Sequence, residues 1–424
     1  MAGTSKGLDE LELNRPAERV SAWTPLREPL FRSLWMASVV SYIGTWMQNV
    51  GSGWLMTSLT MSPLMVGLVQ AASALPVFLV ILPAGALADI VDRRRLLIVT
   101  QSWMVVAAAA LGILTIFGYV TPWMLLGFTF LLGLGAVMND PAWQAITPEV
   151  VSTPCFAPAV ALNSAGYNVA RAVGPALGGL VIAAVGTGAT FLLNAASFFG
   201  VILFLCRWKH TGHGEKPRSE RVVDAMRTGV EHLRQAPAVQ SVLVRTALFS
   251  FAASALLAML PLIGRPHGSV GYGSLLTFFG LGALGGAAIL PALRRMMSAN
   301  AVIAVGTLLF AVATSAAGYV QIFWLLCVVM FAGGVGWISI VATLNVAAQT
   351  MSPSWLRARA LSMYLLVLQG GMAAGSATWG ALAARLGIAT ALVVAAVGLV
   401  LGLLTIRRHP LQTEDLAVTS SVSS

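Results

Sequence analysis

Residues 85–95 read GALADIVDRRR, so a long, predominantly apolar run ends in two carboxylates and three arginines. A helix of about 20 apolar residues spans a bilayer, and Lys and Arg gather where such helices leave it on the cytoplasmic side. The stretch therefore predicts the cytoplasmic end of a transmembrane helix.

Composition extends this prediction to the whole chain. Of its 424 residues, 58% are hydrophobic and 9% charged, whereas soluble domains carry about 25% charged residues. This apolar content suffices for about twelve spans. Unbroken apolar runs also argue against a transmembrane barrel, whose strands alternate apolar and polar residues. We expect an all-α polytopic membrane protein.

Apolar runs between charged or turn-forming residues predict twelve transmembrane helices. The first follows Arg32 and is too long for the apolar region of a signal peptide, so we expect it to remain as a helix. The predicted spans are 34–57, 65–88, 96–118, 122–145, 156–184, 188–206, 239–262, 272–293, 300–318, 322–349, 358–384 and 388–406.

The cations are distributed unevenly about these spans. Most of the 25 Lys and Arg residues fall on the side that holds both termini and the polar stretch 207–238. Cytoplasmic loops collect such residues, which predicts a protein of the bacterial cytoplasmic (inner) membrane with both termini cytoplasmic. The net charge of +10 is then explained by the orientation of the chain in the membrane, and we expect no nucleic-acid partner.

The same polar stretch divides the chain. We expect a cytoplasmic segment at 1–31, a six-helix bundle at 32–206, a linker at 207–238, a second bundle at 239–408 and a disordered tail at 409–424. Apolar residues from Val222 to Leu233 recur at helical spacing, which predicts an amphipathic helix on the inner membrane surface.

The two halves repeat each other at an offset of 201 residues. Gly85 meets Gly286, and further pairs are Arg93 and Arg94 with Arg294 and Arg295, Trp123 with Trp324, Gly133 and Gly135 with Gly334 and Gly336, and Gly174, Gly179 and Gly186 with Gly375, Gly380 and Gly387. Because six spans return the chain to its starting side, the repeats are parallel. Parallel six-helix repeats with a site at their interface describe the major facilitator architecture.

Four segments carry a family resemblance: SYIGTWMQ at 41–48, GALADIVDRRR at 85–95, NDPAWQAITPE at 139–149 and GPALGG at 174–179. Together they resemble the major facilitator superfamily, in its twelve-helix branch of enterobactin-type siderophore exporters and macrolide efflux pumps. The chain departs from the family pattern at Asp92, where glycine is frequent, and at Ala161 and Ala170, which replace two glycines.

The resemblance implies roles for two motifs. The loop 2–3 motif would latch the cytoplasmic sides of the two halves in the outward-open state, and it comprises Gly85, Asp89, Asp92, Arg93, Arg94 and Arg95. The alternative is a positive-inside anchor that needs only the arginines. The helix 5 motif is associated with exporters of the antiporter type and comprises Gly174, Pro175, Gly178 and Gly179. The alternative is close packing of helices.

Arg171 is the most informative single residue. It lies about 15 residues, or roughly 22 Å, along the fifth span, where a guanidinium is costly unless it faces a bundle interior or a wet cavity. The fourth span is predicted to end near residue 145, which puts Asp140 only about 8 Å from the inner boundary, so a direct ion pair is not expected. Arg171 is then free to meet an anionic or oxygen-rich substrate, or else it bonds backbone carbonyls.

A substrate cavity is expected around Arg171. Its predicted lining comes from the first, fifth and eleventh spans and is polar or aromatic except for one methionine. The residues are Trp46, Gln48, Asn49, Asn163, Tyr167, Asn168, Arg171, Gln369 and Met372. For any one of these residues, the alternative is hydrogen bonding or packing between helices.

The energy source is constrained by absences in the sequence. There is no GxxxxGK[ST] phosphate loop, so the chain alone is not expected to use ATP. Proton coupling needs a titratable group, for which Asp140 is the first candidate and Asp89 the second. The alternative for Asp140, which precedes Pro141, is a local cap at a helix exit.

We therefore predict a monomeric secondary transporter, with no cofactor or metal, that exports a siderophore or drug in exchange for protons. Transport of lysophospholipids or nutrients is the alternative within the fold. Outside it, the alternatives are a membrane enzyme and a membrane sensor or scaffold without flux.

Overall fold

The computed structural model describes residues 21–207, 237–352 and 356–404, excluding the side chains of 82, 83, 85–90, 145 and 358. These residues form twelve α-helices, which confirms the predicted number and class. Short 3₁₀ turns precede α1 and α5 and join α7 to α8. The helices are α1 Pro29–Leu59, α2 Pro63–Ile90, α3 Arg93–Ile116, α4 Pro122–Val150, α5 Phe156–Val185, α6 Thr187–Arg207, α7 Pro237–Gly264, α8 Gly268–Met296, α9 Ala299–Ala317, α10 Phe323–Thr350, α11 Arg357–Leu386 and α12 Ile388–Gly402.

Nine stretches of the described chain are long and apolar enough to cross a membrane, and one of them, Pro237–Met296, contains both α7 and α8. Two helices fall outside this set: α1 carries polar side chains such as Ser41, Thr45 and Gln48, and α12 has 15 residues. The protein is an integral membrane protein.

The helix boundaries reproduce the internal repeat. Helices α4, α5 and α6 begin at residues 122, 156 and 187, and α10, α11 and α12 begin 201 residues later, at 323, 357 and 388. Gly186 and Gly387, which end α5 and α11, share a positive φ of 88° and 86°. Only glycine adopts this backbone conformation without strain, so the turn explains both glycines.

Successive helices alternate in direction and define two faces. We call the face where α1 begins the terminal face, and the other the far face. At the terminal face, Arg94 joins the start of α3 to the end of α6: its Nε donates to the Leu205 carbonyl at 2.7 Å and its Nη2 to that of Cys206 at 3.1 Å. Trp123 and Trp324, at the far face, are 67% and 71% exposed, as expected for aromatic residues at a membrane interface.

The repeats meet through glycines on two helix pairs. A Cβ at Gly67 of α2 would lie 2.5 Å from the Ser376 carbonyl oxygen of α11, and one at Gly273 of α8 would lie 2.4 Å from that of Pro175 in α5. Since these neighbours are backbone atoms, neither position has room for a side chain. Both close approaches lie in the half of the protein nearer the far face.

Helix α4 differs from the prediction. It was expected to end near residue 145, but it continues through Pro141 and Pro148 to Val150. Proline is tolerated inside transmembrane helices because neighbouring groups satisfy the freed backbone. Asp140 therefore lies about 15 Å from the helix end, deeper than predicted, and it is not a cap at a helix exit.

Parts of the predicted organisation fall outside the described residues. These are the amphipathic helix within 207–238, apart from residues 207, 237 and 238, and the tail at 409–424. The division into two bundles at this linker stays a prediction.

Candidate functional site

A cluster of aromatic and charged side chains joins α1, α4 and α5 near the middle of the membrane. The ring of Tyr167 meets that of Tyr42 edge-on at a centroid distance of 5.3 Å and that of Trp46 at 6.4 Å. Tyr167 is also 44% exposed. Its ring therefore has one side packed on α1 and another side accessible.

Asp140 and Arg171 flank this tyrosine. Tyr167 interacts electrostatically with both side chains, and Asp140 also interacts with the Tyr42 hydroxyl. Asp140 and Arg171 form no ion pair with each other in the described structure. Tyr167 instead stands between the negative and the positive group.

The greater depth of Asp140 explains this arrangement. Counted from the terminal-face ends of their helices, Asp140 and Tyr167 lie at about 15 Å and 16 Å, and Arg171 at about 22 Å. Asp140 is exposed rather than packed away. Trp143, one turn further along α4, lies within hydrogen-bonding reach of the Tyr42 hydroxyl.

Arg171 is half-buried, and no hydrogen bond joins its guanidinium to another described residue. Its backbone packs against α8, since a Cβ at Gly280 would lie 3.1 Å from the Arg171 carbonyl oxygen. Arg171 thus belongs to the first repeat and lies where that repeat meets the second.

The predicted residues of α1 separate into two groups. Trp46 and exposed Asn49 share a helix face with Tyr42, since residues three, four and seven apart lie on one side. Gln48 points elsewhere: it is 6% exposed and accepts a 2.8 Å hydrogen bond from Asn194 of α6. The structure does not bring Gln48 to the cluster, and its contact is a bond between helices.

The two asparagines of α5 bond locally. Asn163 donates to Thr147 Oγ1 of α4 at 3.3 Å, and Asn168 donates to the Ser164 carbonyl one turn earlier at 2.9 Å. Asn163 therefore holds α5 against α4 on the terminal-face side of the cluster. Asn168 satisfies its amide within its own helix.

The second repeat presents an apolar surface at a similar depth. Met372, the counterpart of Arg171, is buried with Ala74 and Ala373 and packs against Trp337. The Trp337 ring lies 5.5 Å from that of Phe249 and 6.2 Å from that of Phe279. Gln369 is half-buried one turn before Ala373.

Two groups of residues in this region were missed by the sequence. Tyr42 and Trp143 belong to the polar cluster, and Phe249, Phe279 and Trp337 form the aromatic group. The spacing of Tyr42 from Trp46 and Asn49 was a usable signal. The aromatic residues come from separate helices, so no local sequence pattern predicts that they pack together.

The loop 2–3 motif makes its described contacts within the first repeat. Asp92 accepts from the backbone N–H of Arg95 at 2.8 Å and so caps α3. Arg93 pairs with Glu149 at the end of α4 at 2.7 Å. Arg94 binds the end of α6, while Gly85 and Asp89 belong to the last turns of α2.

The helix 5 motif packs against helices on both sides. A Cβ at Gly174 would lie 2.5 Å from Trp46 Cβ, and one at Gly178 would lie 3.0 Å from Met47 Cα, both on α1. Gly179 faces α8 instead, where Ser269 Oγ donates to its carbonyl at 3.1 Å. Pro175 lies between these contacts and meets Gly273.

Comparison with known proteins places this architecture in a family. The family model described as "Transmembrane secretion effector" matches residues 20–423. The chain belongs to that family, within the major facilitator superfamily. This membership confirms the resemblance and makes the protein a membrane transporter of a small molecule.

Several curated relatives of this transporter are themselves transporters or efflux proteins. The staphyloferrin A transporter of Staphylococcus aureus is 29% identical over 40% of this chain and 43% of its own length. The multidrug efflux pump Tap of Mycolicibacterium fortuitum is 26% identical over 92% of this chain and 98% of its own length. The enterobactin exporter EntS of Escherichia coli is 25% identical over 84% of this chain and 86% of its own length.

A solved structure shares the transporter's fold. A bacterial homologue of the human lysosomal transporter Spinster, in an inward-facing and unoccupied conformation, superposes with a TM-score of 0.73. It is 14% identical, and the match covers 91% of this chain and 98% of that one.

Proposed function

We propose that this transporter exports a small amphipathic molecule with an anionic or oxygen-rich group, a siderophore or a drug, by alternating access. The observation that carries the proposal is Arg171, a mid-membrane guanidinium without an acidic partner among the described residues. Such a charge is retained in a membrane chiefly for a functional reason.

The two repeats would contact different parts of the substrate. Arg171 offers up to five donors to a carboxylate, catecholate or other oxygen-rich group, and Tyr167 and Asn49 add polar contacts. Trp337 in the second repeat, with buried Met372 packed behind it, would meet the apolar part. A site with a polar wall and an aromatic wall suits an amphipathic substrate.

The glycine contacts support alternating access. The close approaches of α5 to α8 and of α2 to α11 lie toward the far face, so we infer that this face is closed and that the site opens toward the terminal face. Rocking the repeats would break these contacts and close the other side. In that state Asp89 and the arginines of the loop 2–3 motif would latch the terminal face.

Proton coupling is assigned to Asp140, with Asp89 as the second candidate. A proton-coupled carrier needs an acidic group that gains and loses a proton within the membrane. Among described carboxylates, Asp140 lies at the depth of the site, and Tyr167 links it to Arg171. Substrate binding at Arg171 and proton binding at Asp140 would thus influence each other through Tyr167.

The remaining assignments follow from charge distribution and family. We place the protein in the bacterial inner membrane, with both termini cytoplasmic, because of its Arg-rich terminal face. A monomer without enzymatic activity is proposed. Lysophospholipid or nutrient transport is the alternative in this fold, and a sensor or scaffold without flux is the alternative outside it.

Accumulation assays test the proposal. Cells that express the full chain should accumulate less labelled staphyloferrin A, enterobactin or macrolide than cells with an empty vector. A proton ionophore should remove the difference. Greater accumulation would instead indicate uptake, and unchanged accumulation across amphipathic probes would favour a sensor or scaffold.

A further inference from the structure

Arg245 of α7 is a second cation inside a helix, one turn before Phe249. It lies within the predicted seventh span, about eight residues, or roughly 12 Å, from the start of α7, and is 5% exposed. Its Nη1 donates to Asn300 Oδ1 at 2.7 Å. Its Nη2 is buried and has no hydrogen-bond partner in the described structure.

The second repeat supplies no carboxylate to this arginine. Between Glu231 and Glu414 the sequence contains neither Asp nor Glu. A buried guanidinium with an unsatisfied nitrogen costs several kcal/mol unless an anion or acceptor approaches it. The position therefore calls for a negative group from outside the repeat.

A cavity adjoins Arg245 between α7, α9, α10 and α12. It is a small cavity that is partly open to the surroundings. Apart from Arg245 and Thr307 its lining is apolar, with Leu248, Ile303, Leu344 and Leu399 among its residues. One cation beside an aliphatic wall is complementary to one anionic group joined to a hydrocarbon chain.

We propose that this cavity binds an anionic phospholipid of the leaflet at the terminal face, with its phosphate on Arg245 and part of an acyl chain against the aliphatic wall. The depth fits, because an arginine side chain can extend from 12 Å inside the helix toward the headgroup level. The apolar lining favours a lipid over the acidic Glu414 and Asp415 of the chain's own tail.

Lipid retention by the purified full-length protein tests this site. Delipidated protein is titrated with phosphatidylglycerol or phosphatidylcholine, and bound lipids are counted by native mass spectrometry. We expect one phosphatidylglycerol to be retained about tenfold better than phosphatidylcholine, because the choline cation of the latter offsets the attraction between its phosphate and Arg245.

Three variants make the test specific. Arg245→Gln removes the cation, and Gly398→Leu fills the cavity while keeping Arg245, since a Cβ there meets only Ala252 Cβ at 3.9 Å. Both should lose the preference, whereas Arg295→Gln, which removes an exposed cation from the same face, should keep it.

Three results would overturn the proposal. The first is equal retention of the two lipids by the unchanged protein. The second is a preference that survives both Arg245→Gln and Gly398→Leu. The third is stabilisation by inorganic phosphate equal to that by phosphatidylglycerol, which would indicate a free anion.

Discussion

The ring of Tyr42 meets that of Tyr167 edge-on, with the centroids 5.3 Å apart. This contact fixes α1 against α5 at the depth where Asp140 approaches both hydroxyl groups. The tyrosine pair therefore connects the proposed proton-binding residue to the helix that carries Arg171.

Replacement of Asp140 tests the coupling. Asp140→Asn keeps the size of the side chain but cannot exchange a proton, so efflux should persist down a substrate gradient and lose its response to a pH gradient. Transport in proteoliposomes with and without that gradient measures this. Glu28→Gln is the matched control, because an amide oxygen can still accept the 3.0 Å hydrogen bond from Ser152 and the residue lies outside both the cluster and the loop 2–3 motif. An unaltered gradient response in Asp140→Asn would reject the assignment.

The α5–α8 contact gives a second prediction. Gly273→Ala places a methyl group 2.4 Å from the Pro175 carbonyl oxygen, which must push the helices apart at a cost of about 1–3 kcal/mol. We expect slower efflux and faster modification of Ser269→Cys from the far face, in a background lacking native cysteines. Gly127→Ala, where no atom lies within 4 Å, should change neither. Equal behaviour of the two alanine variants would mean that this contact does not close the far face.

Gln48 should act on stability rather than on substrate binding. Gln48→Leu removes the acceptor of the Asn194 amide, and bonds of this kind between membrane helices contribute about 0.6–1.7 kcal/mol. The thermal midpoint in detergent should fall while substrate affinity stays within about twofold, a change worth less than 0.5 kcal/mol. A large loss of substrate affinity without a loss of stability would instead show that Gln48 contacts the substrate.

The loop 2–3 motif predicts a difference between insertion and transport. Asp89→Asn should insert normally, because the arginines that set orientation remain, but it should transport more slowly if Asp89 latches the terminal face. Surface labelling measures insertion, and efflux measures transport. Unchanged efflux would leave the motif with an anchoring role alone.

The sequence was sufficient for the fold because span length, Arg-rich ends and the 201-residue offset are local or periodic signals. It also identified Arg171 and Tyr167, whose spacing on one helix face is readable. Gln48 was misplaced beside Asn49, because its bonding to Asn194 depends on a contact between residues far apart in the chain.

Depth along a helix was harder to predict. The fourth span is predicted to end near residue 145, yet α4 continues through Pro141 and Pro148, so Asp140 lies level with Tyr167. Arg245 lies inside the predicted seventh span, but its bond to Asn300 of α9 depends on a contact between separate helices. The aromatic group at Trp337 arises only when separate helices pack.

The measurement that tests the central claim most directly is substrate transport by Arg171 variants at matched expression. The account predicts that Arg171→Gln reduces efflux of an oxygen-rich substrate at least tenfold, equivalent to about 1.4 kcal/mol. Arg171→Lys should retain part of the activity, because lysine keeps the charge but not the paired donors, and Arg295→Gln should match the unchanged protein. Efflux by Arg171→Gln at the unchanged rate would contradict the proposed role of this guanidinium.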